Sequence, residues 1–239
     1  MARNSLHKPN EEGREVIVFL NAEVGEDILG AEYSRIIARV NSLDAEKKAA
    51  LLAVCVAALS GPQHDENGDA RIVAVRVIVA LLPLSLGAIA DLLNRYLDRH
   101  QYEVHFTLFC YLDWVQEMPN ASSLTQDVLR LVESYIMTVP RKTARAAWMA
   151  GDMLGEHWNE QEAMPLLVMA AQEAKHSVGR QLSIFGLEEI LDRLPVESAS
   201  HKHVRTTLRK ISLSDPSKYV REDAKMVLRD WRKSLKKSK

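Results

Sequence analysis

Cysteine, aromatic residues, glycine and proline are all scarce in this chain, and each shortage narrows what it can be. Two cysteines among 239 residues, Cys55 and Cys110, cannot build the staple network of a small secreted domain. Both fall inside apolar helical runs, so the expectation is two buried thiols in a reducing compartment. Aromatics are 6% of the chain while Ala and Leu are abundant, which favours helices over a β-sandwich. The ten glycines and eight prolines lie mostly where helices would end. No Gly-rich phosphate loop, G-x-S-x-G, H-E-x-x-H or C-x-x-C occurs, so no familiar catalytic motif is present. The opening stretch MARNSLHKPNEEGRE lacks a basic-then-apolar leader pattern and Ala2 excludes myristoylation, so a cytoplasmic setting is expected. A clean membrane span is missing too. Ile72 to Leu93 is long and mostly apolar, but Arg76, Pro83 and Gly87 interrupt it and Asp91 lies near its end, which predicts two buried helices broken at Pro83.

What is present is a globular composition, 47% hydrophobic and 26% charged. The net charge of −1 conceals an asymmetry. Residues 201–239 carry 13 Lys/Arg against 4 Asp/Glu, and residues 1–200 carry 18 against 28. Such a split has two readings: a basic arm for an acidic partner or nucleic acid, or the solvated end of a helical array.

Taken in order, residues 1–12 read as loose, and 14–24 are ambiguous between helix and strand because the apolar run is short. Glu26 to Val40 reads as a capping helix with Ile28, Ile36, Ile37 and Val40 inward. Ser42 or Asp44 then caps a helix running through Leu59. The loop GPQHDENGD offers Asp65, Asn67 and Asp69 as oxygen ligands, but its Gly offset and missing distal Glu argue against calcium. Helices are expected at 70–82, 85–99, 102–117, 123–137, 141–155, 160–175, 177–194, 198–211 and 215–236, joined by short connections. Ser123 with Gln126 matches a capping box. In the last helix, DPSKYVREDAKMVLRDWRKSLK, Asp215 is the expected cap and Pro216 the first helical residue. Val220, Ala224, Val227, Leu228 and Trp231 form its apolar stripe.

Self-similarity is the strongest signal. Early basic residues of alternate helices, Arg71, His105, Arg145, Arg180 and Arg221, are separated by 34, 40, 35 and 41 residues. Three residues on come Ala74, Leu108, Trp148, Ser183 and Ala224, and seven on come Ile78, Leu112, Asp152, Leu187 and Leu228. Small side chains at the first place let helix pairs approach, and large aliphatics at the second fill the layer between repeats. Trp148 and Asp152 break the pattern, which predicts a register shift placing Ala146 and Ala147 inward. Trp148 and Trp114 are read as core side chains.

An Asp-Pro start followed by Val220-Arg221, Ala224 and Leu228 resembles the second helix of a HEAT repeat. Residues 144–191 resemble the HEAT-like repeats first named from phycobilisome lyases. The cues are Ala147, Gly151 and Asp152, then Ala163-Met164-Pro165-Leu166-Leu167, then Val178 with Arg180. The resemblance extends from about residue 44 to 236. It implies an all-α, α-α superhelix (a HEAT-like solenoid) of about five helix pairs, with residues 1–43 as N-terminal segment and capping helix and 44–239 as the array. It also implies a concave face lined by second helices.

The expected function is non-catalytic protein binding by a scaffold or adaptor, with a peptide or helix in that groove and no cofactor, metal or membrane. Arg145, Arg180 and Arg221, with Lys225, Arg229 and Arg232 nearer the end, are the candidate partner-binding residues. For the three repeat arginines the structural alternative is salt bridging between repeats. For the basic end it is simple solvation, favoured by the helix dipole. The enzymatic alternative is a HEAT-type DNA-binding protein or DNA alkylation-repair glycosylase, with Trp114, Trp148 and Trp158 holding a base and Asp113 or Asp152 as carboxylate. The acidic balance of residues 1–200 disfavours it. His201 and His203, two apart on a helix, and His100 and His105, five apart, make poor metal pairs. The histidine–glutamate dyads of di-iron HEAT hydroxylases are absent.

Overall fold

The computed structural model describes residues 11–25, 31–60, 68–94, 102–118, 120–139, 144–156 and 158–237. Among them every regular element is helical. The helices are α1 (Glu11–Val24), α2 (Tyr33–Ser42), α3 (Ala45–Ser60), α4 (Gly68–Ala80), α5 (Leu86–Asn94) and α6 (Tyr102–Leu112), the last continued by a 3₁₀ turn, Asp113–Glu117. Then follow α7 (Ala121–Thr138), α8 (Ala144–Glu156), α9 (Glu160–Glu173), α10 (Ser177–Arg193), α11 (Ala199–Ser214) and α12 (Lys218–Lys237). The all-α class read from the composition is therefore observed. The chain divides into two compact units, Met1–Leu124 and Thr125–Lys239, with the division inside the array expected from residue 44 onward.

The first unit is built around α4, which packs against α1, α2, α3 and α6. Val73, Ala74, Val75, Val77, Ile78 and Val79 are all fully inaccessible. A helix apolar on every side is a core helix, and this one is enclosed on every side. Arg76 is accommodated at its edge. The Arg76 Nε–H donates to the Tyr111 hydroxyl, and the guanidinium lies 5.1 Å from that ring centroid. The Tyr33 hydroxyl donates to the Arg76 carbonyl at 3.1 Å. Burial, and then neighbouring Tyr111, push the Tyr33 phenol well above its ordinary range. The chain breaks between α4 and α5 around Pro83, as its sequence implies.

The second unit is built around α10, which contacts α8, α9, α11 and α12. Its approach to α8 is unusually close, and glycine makes it so. A Cβ on Gly151 would fall on the Leu182 carbonyl, and one on Gly155 would fall on the Gly186 carbonyl. Both pairs advance together along their helices, so α8 and α10 run parallel. α12 presents the predicted stripe, with Val220, Ala224, Val227, Leu228 and Trp231 all buried against its neighbours.

Several local expectations are corrected. The ambiguous segment 14–24 is helical, and it ends at Gly25, whose φ of 80° is the left-handed cap conformation that glycine adopts without strain. Ser123 does not form a capping box: α7 already starts at Ala121, the Ser123 hydroxyl donates to the Asn120 carbonyl, and Gln126 donates to Glu162. Asp215 is not the N-cap of α12, which begins at Lys218. Asp215 instead ends α11 and accepts the Ser217 N–H at 2.7 Å. Of Ser42 and Asp44, Asp44 caps α3, accepting the Lys47 N–H at 2.8 Å, while the Ser42 hydroxyl donates to the Arg39 carbonyl. Ile28, Asp65, Asn67 and the side chains of Asp69, Ala146 and Ala147 lie outside the described residues.

Candidate functional site

Arg180 is buried, its Nε–H donating to Asp215 Oδ2 at 2.7 Å and a second N–H to Oδ1 at 3.2 Å. A third donates to the Ala174 carbonyl at 2.8 Å. The fork of the guanidinium meets the carboxylate side-on, the strongest geometry for such a pair. Arg221, half-buried, donates to the Asp215 carbonyl, and Gln181 donates to Asp223 at 2.6 Å. One node thus ties α10, the α11–α12 turn and α12 together. Arg180 is therefore inside the unit, not on a partner-facing ridge. Arg145 lies in α8, and its side chain is outside the described residues.

Lys225, Arg229, Arg232 and Lys233 of α12 are exposed. Lys225 and Arg232 reach solvent, while Arg229 donates twice to Asp230, at 3.2 and 3.4 Å. Lys233 donates to the same carboxylate at 2.8 Å, and these bonds hold the Asp230 carboxyl down at about 2.

The more distinctive surface lies where the repeat pattern fails. Trp148, read as core, is 49% exposed, and Asp152, one turn on, is half-buried. The outward Trp148 and Asp152 and the buried Gly151 and Leu154 are what a one-residue shift of register gives, with the side chains of Ala146 and Ala147 outside the described residues. The inward face of α8 is Ala150, Gly151, Met153, Leu154 and Gly155, because the glycine contact with α10 sets its rotation. That rotation delivers Trp148 outward onto Phe185 of α10, with ring centroids 4.7 Å apart and planes 11° apart. Below the rings run carboxylates. Asp152 and Glu156 continue the α8 stripe, and Glu188, Glu189 and Asp192 continue that of α10. They sense one another. Partial burial, then Asp152, Glu156 and Asp192, raise the Glu189 carboxyl, and Arg193 offsets this. Partial burial, then Asp192, Glu189 and Asp230, raise that of Glu188. The result is an exposed aromatic platform continuous with an acidic surface.

Sequence reasoning placed Trp148 and Asp152 as irregularities and missed their pairing with Phe185 and Glu189. The signal was there: both are 37 residues from their partner, close to the repeat period. What lacked was the sense of rotation of α8.

The residues named for base excision fall in both units. Trp158 is fully buried, Trp114 is 36% exposed, and Asp113 and Trp114 belong to the first unit while Asp152, Trp148 and Trp158 belong to the second. Among the described residues no group of three or more His, Cys, Asp or Glu side chains is arranged to hold a metal, and no helix is long and apolar enough to cross a membrane. No protein family, curated protein or solved structure matches the chain.

Proposed function

We propose that this chain is a non-catalytic protein-binding module, and that its partner surface is the α8–α10 face of the second unit. The observation that carries this is the stacked Trp148–Phe185 pair, half in solvent and bordered by five carboxylates. A large aromatic left exposed on a rigid helix pair is the residue type that anchors interfaces. Its indole face attracts guanidinium or ammonium groups, and the carboxylates beside it favour the same sign. The partner is accordingly a basic segment, rich in Arg or Lys, laid along α8 and α10. The helices are fixed against each other by glycine contacts, so little ordering entropy opposes binding on this side.

The test is fluorescence anisotropy with a labelled arginine-rich peptide and its glutamate-substituted counterpart. The basic peptide is expected to bind and the acidic one not. Trp148→Ala should weaken binding at least tenfold, equivalent to about 1.4 kcal/mol. Glu188→Lys with Glu189→Lys should abolish it. Equal binding of both peptides, or an unchanged affinity for Trp148→Ala, rules the assignment out.

A further inference from the structure

A second cluster, of opposite sign, sits where the start of α11 meets the end of α12. His201 is 0% exposed, and neither ring nitrogen has a hydrogen-bond partner. Its ring centroid is 5.3 Å from that of Trp231. One turn further along α11, the Arg205 guanidinium lies over the same indole, 4.0 Å from its centroid. The buried Nε–H of Arg205 also has no hydrogen-bond acceptor. Three ring or guanidinium nitrogens without partners in one contact group are rare, because an unmatched buried polar atom keeps its full desolvation cost.

The surrounding charges compound this. Arg209 and Arg232, both exposed, act on Arg205 with like charge, and Glu197 is the one carboxylate opposing them. Glu197 is itself 3.8 Å from Lys202. Burial, and then Arg205, keep the His201 imidazole below its usual range. His201 also lies in the first turn of α11, where the helix dipole favours negative charge. Among the described residues acting on Arg205, two arginines face one carboxylate.

We infer that the corner formed by His201, Arg205, Arg209 and Arg232 binds a compact phosphoryl anion, free or esterified, that carries at least two negative charges. Such a ligand accepts from three guanidinium groups at once, which a single carboxylate cannot do. It draws Arg205 off the indole, and its oxygens then satisfy the Arg205 Nε–H and an imidazole N–H. A nucleic-acid strand is the competing occupant. It spreads single charges over a long basic surface and needs neither the buried histidine nor this close grouping.

The experiment is calorimetric titration of the full chain with inorganic pyrophosphate at constant ionic strength. Inorganic phosphate and adenosine monophosphate serve as separate arms that distinguish a free from an esterified source. One saturable site per chain is expected. Arg209→Ala and Arg232→Ala, both at exposed positions, should each weaken it at least tenfold. His201→Phe, which keeps the buried ring against Trp231, should weaken it as well. Lys225→Ala, two turns along α12 from Arg232, should leave it unchanged. No binding of pyrophosphate at millimolar concentration overturns the assignment. So does a Lys225→Ala loss equal to that of Arg209→Ala, which would mean a diffuse field. Binding of single-stranded RNA that pyrophosphate fails to displace overturns it too.

Discussion

Removing the Asp215 carboxylate strands the Arg180 charge, and the size of that effect can be worked from the geometry. Arg180 is 9% exposed and Asp215 8% exposed, so neither is rescued by water where it stands. In Asp215→Ala the guanidinium keeps one bond, to the Ala174 carbonyl, and loses two. Breaking a buried pair from one side costs about 3–5 kcal/mol. The lost acceptor for the Ser217 N–H adds about 1 kcal/mol. Set against a typical total of about 5–15 kcal/mol, unit 2 loses a large part of its stability. Urea unfolding followed by tryptophan fluorescence reads this directly. Three of the four tryptophans, Trp148, Trp158 and Trp231, lie in the second unit, so a Trp114→Phe background isolates it. With a slope of about 2 kcal/mol per molar, the midpoint should fall by about 2 M. Arg180→Met combined with Asp215→Ala should recover most of that, because no buried charge is then left alone. A shift below about 0.5 M for the single variant, or a double variant worse than either single one, refutes the account.

Further outcomes follow from other parts of the fold. Gly155→Ala should destabilise the second unit by about 2 kcal/mol or more, since its Cβ meets backbone in α10, whereas Gly87→Ala has open space in α5 and should stabilise the first by about 0.5–1 kcal/mol. Thermal or urea midpoints of the two variants check the opposite signs. His105, 1% exposed, donates its Nε2–H to the Leu92 carbonyl at 2.7 Å, and burial drives its pKa down from 6.5 to about 4. The unfolded chain then binds the proton more readily, so this group contributes no pH dependence above about pH 6.5 and destabilises as pH falls toward 4. The loss is about 2.5 kcal/mol at pH 4.5, and His105→Gln should flatten that limb of a stability–pH profile. Burial pushes the Cys55 thiol up to about 12, and its side chain is fully enclosed. It should resist a thiol reagent at pH 8 in the native protein and react on unfolding, which a timed labelling assay in a Cys110→Ser background shows.

Helix placement was largely legible because the signals for it are local. Short apolar periodicities, Asp44 as a cap, and the break at Pro83 act within a few residues, and the structure matches them. Legibility failed where a neighbour decides. Asp215 and Pro216 read as a helix start, yet the carboxylate is claimed by Arg180, 35 residues away. Ser123 and Gln126 spell a capping box, but the helix nucleates at Ala121 and Gln126 turns to Glu162. Trp148 sits at a core place in the repeat, and the rotation of α8 is set by Gly151 and Gly155 against α10. Likewise nothing in the spacing of His201, Arg205 and Trp231 announces their contact, because they lie on two helices about 30 residues apart.

The sequence by itself determined that the chain is helical and where most helices lie. Those properties follow from backbone propensity and hydrophobic period, which each segment carries with it. The tertiary structure alone decided which charges are buried as pairs and which face outward. It seated Arg180 inside, turned Trp148 onto Phe185, and brought a buried His201 and Arg205 together on Trp231. Those outcomes depend on helix rotation and close approach, and these are set by side-chain volume at contacts far apart in the chain.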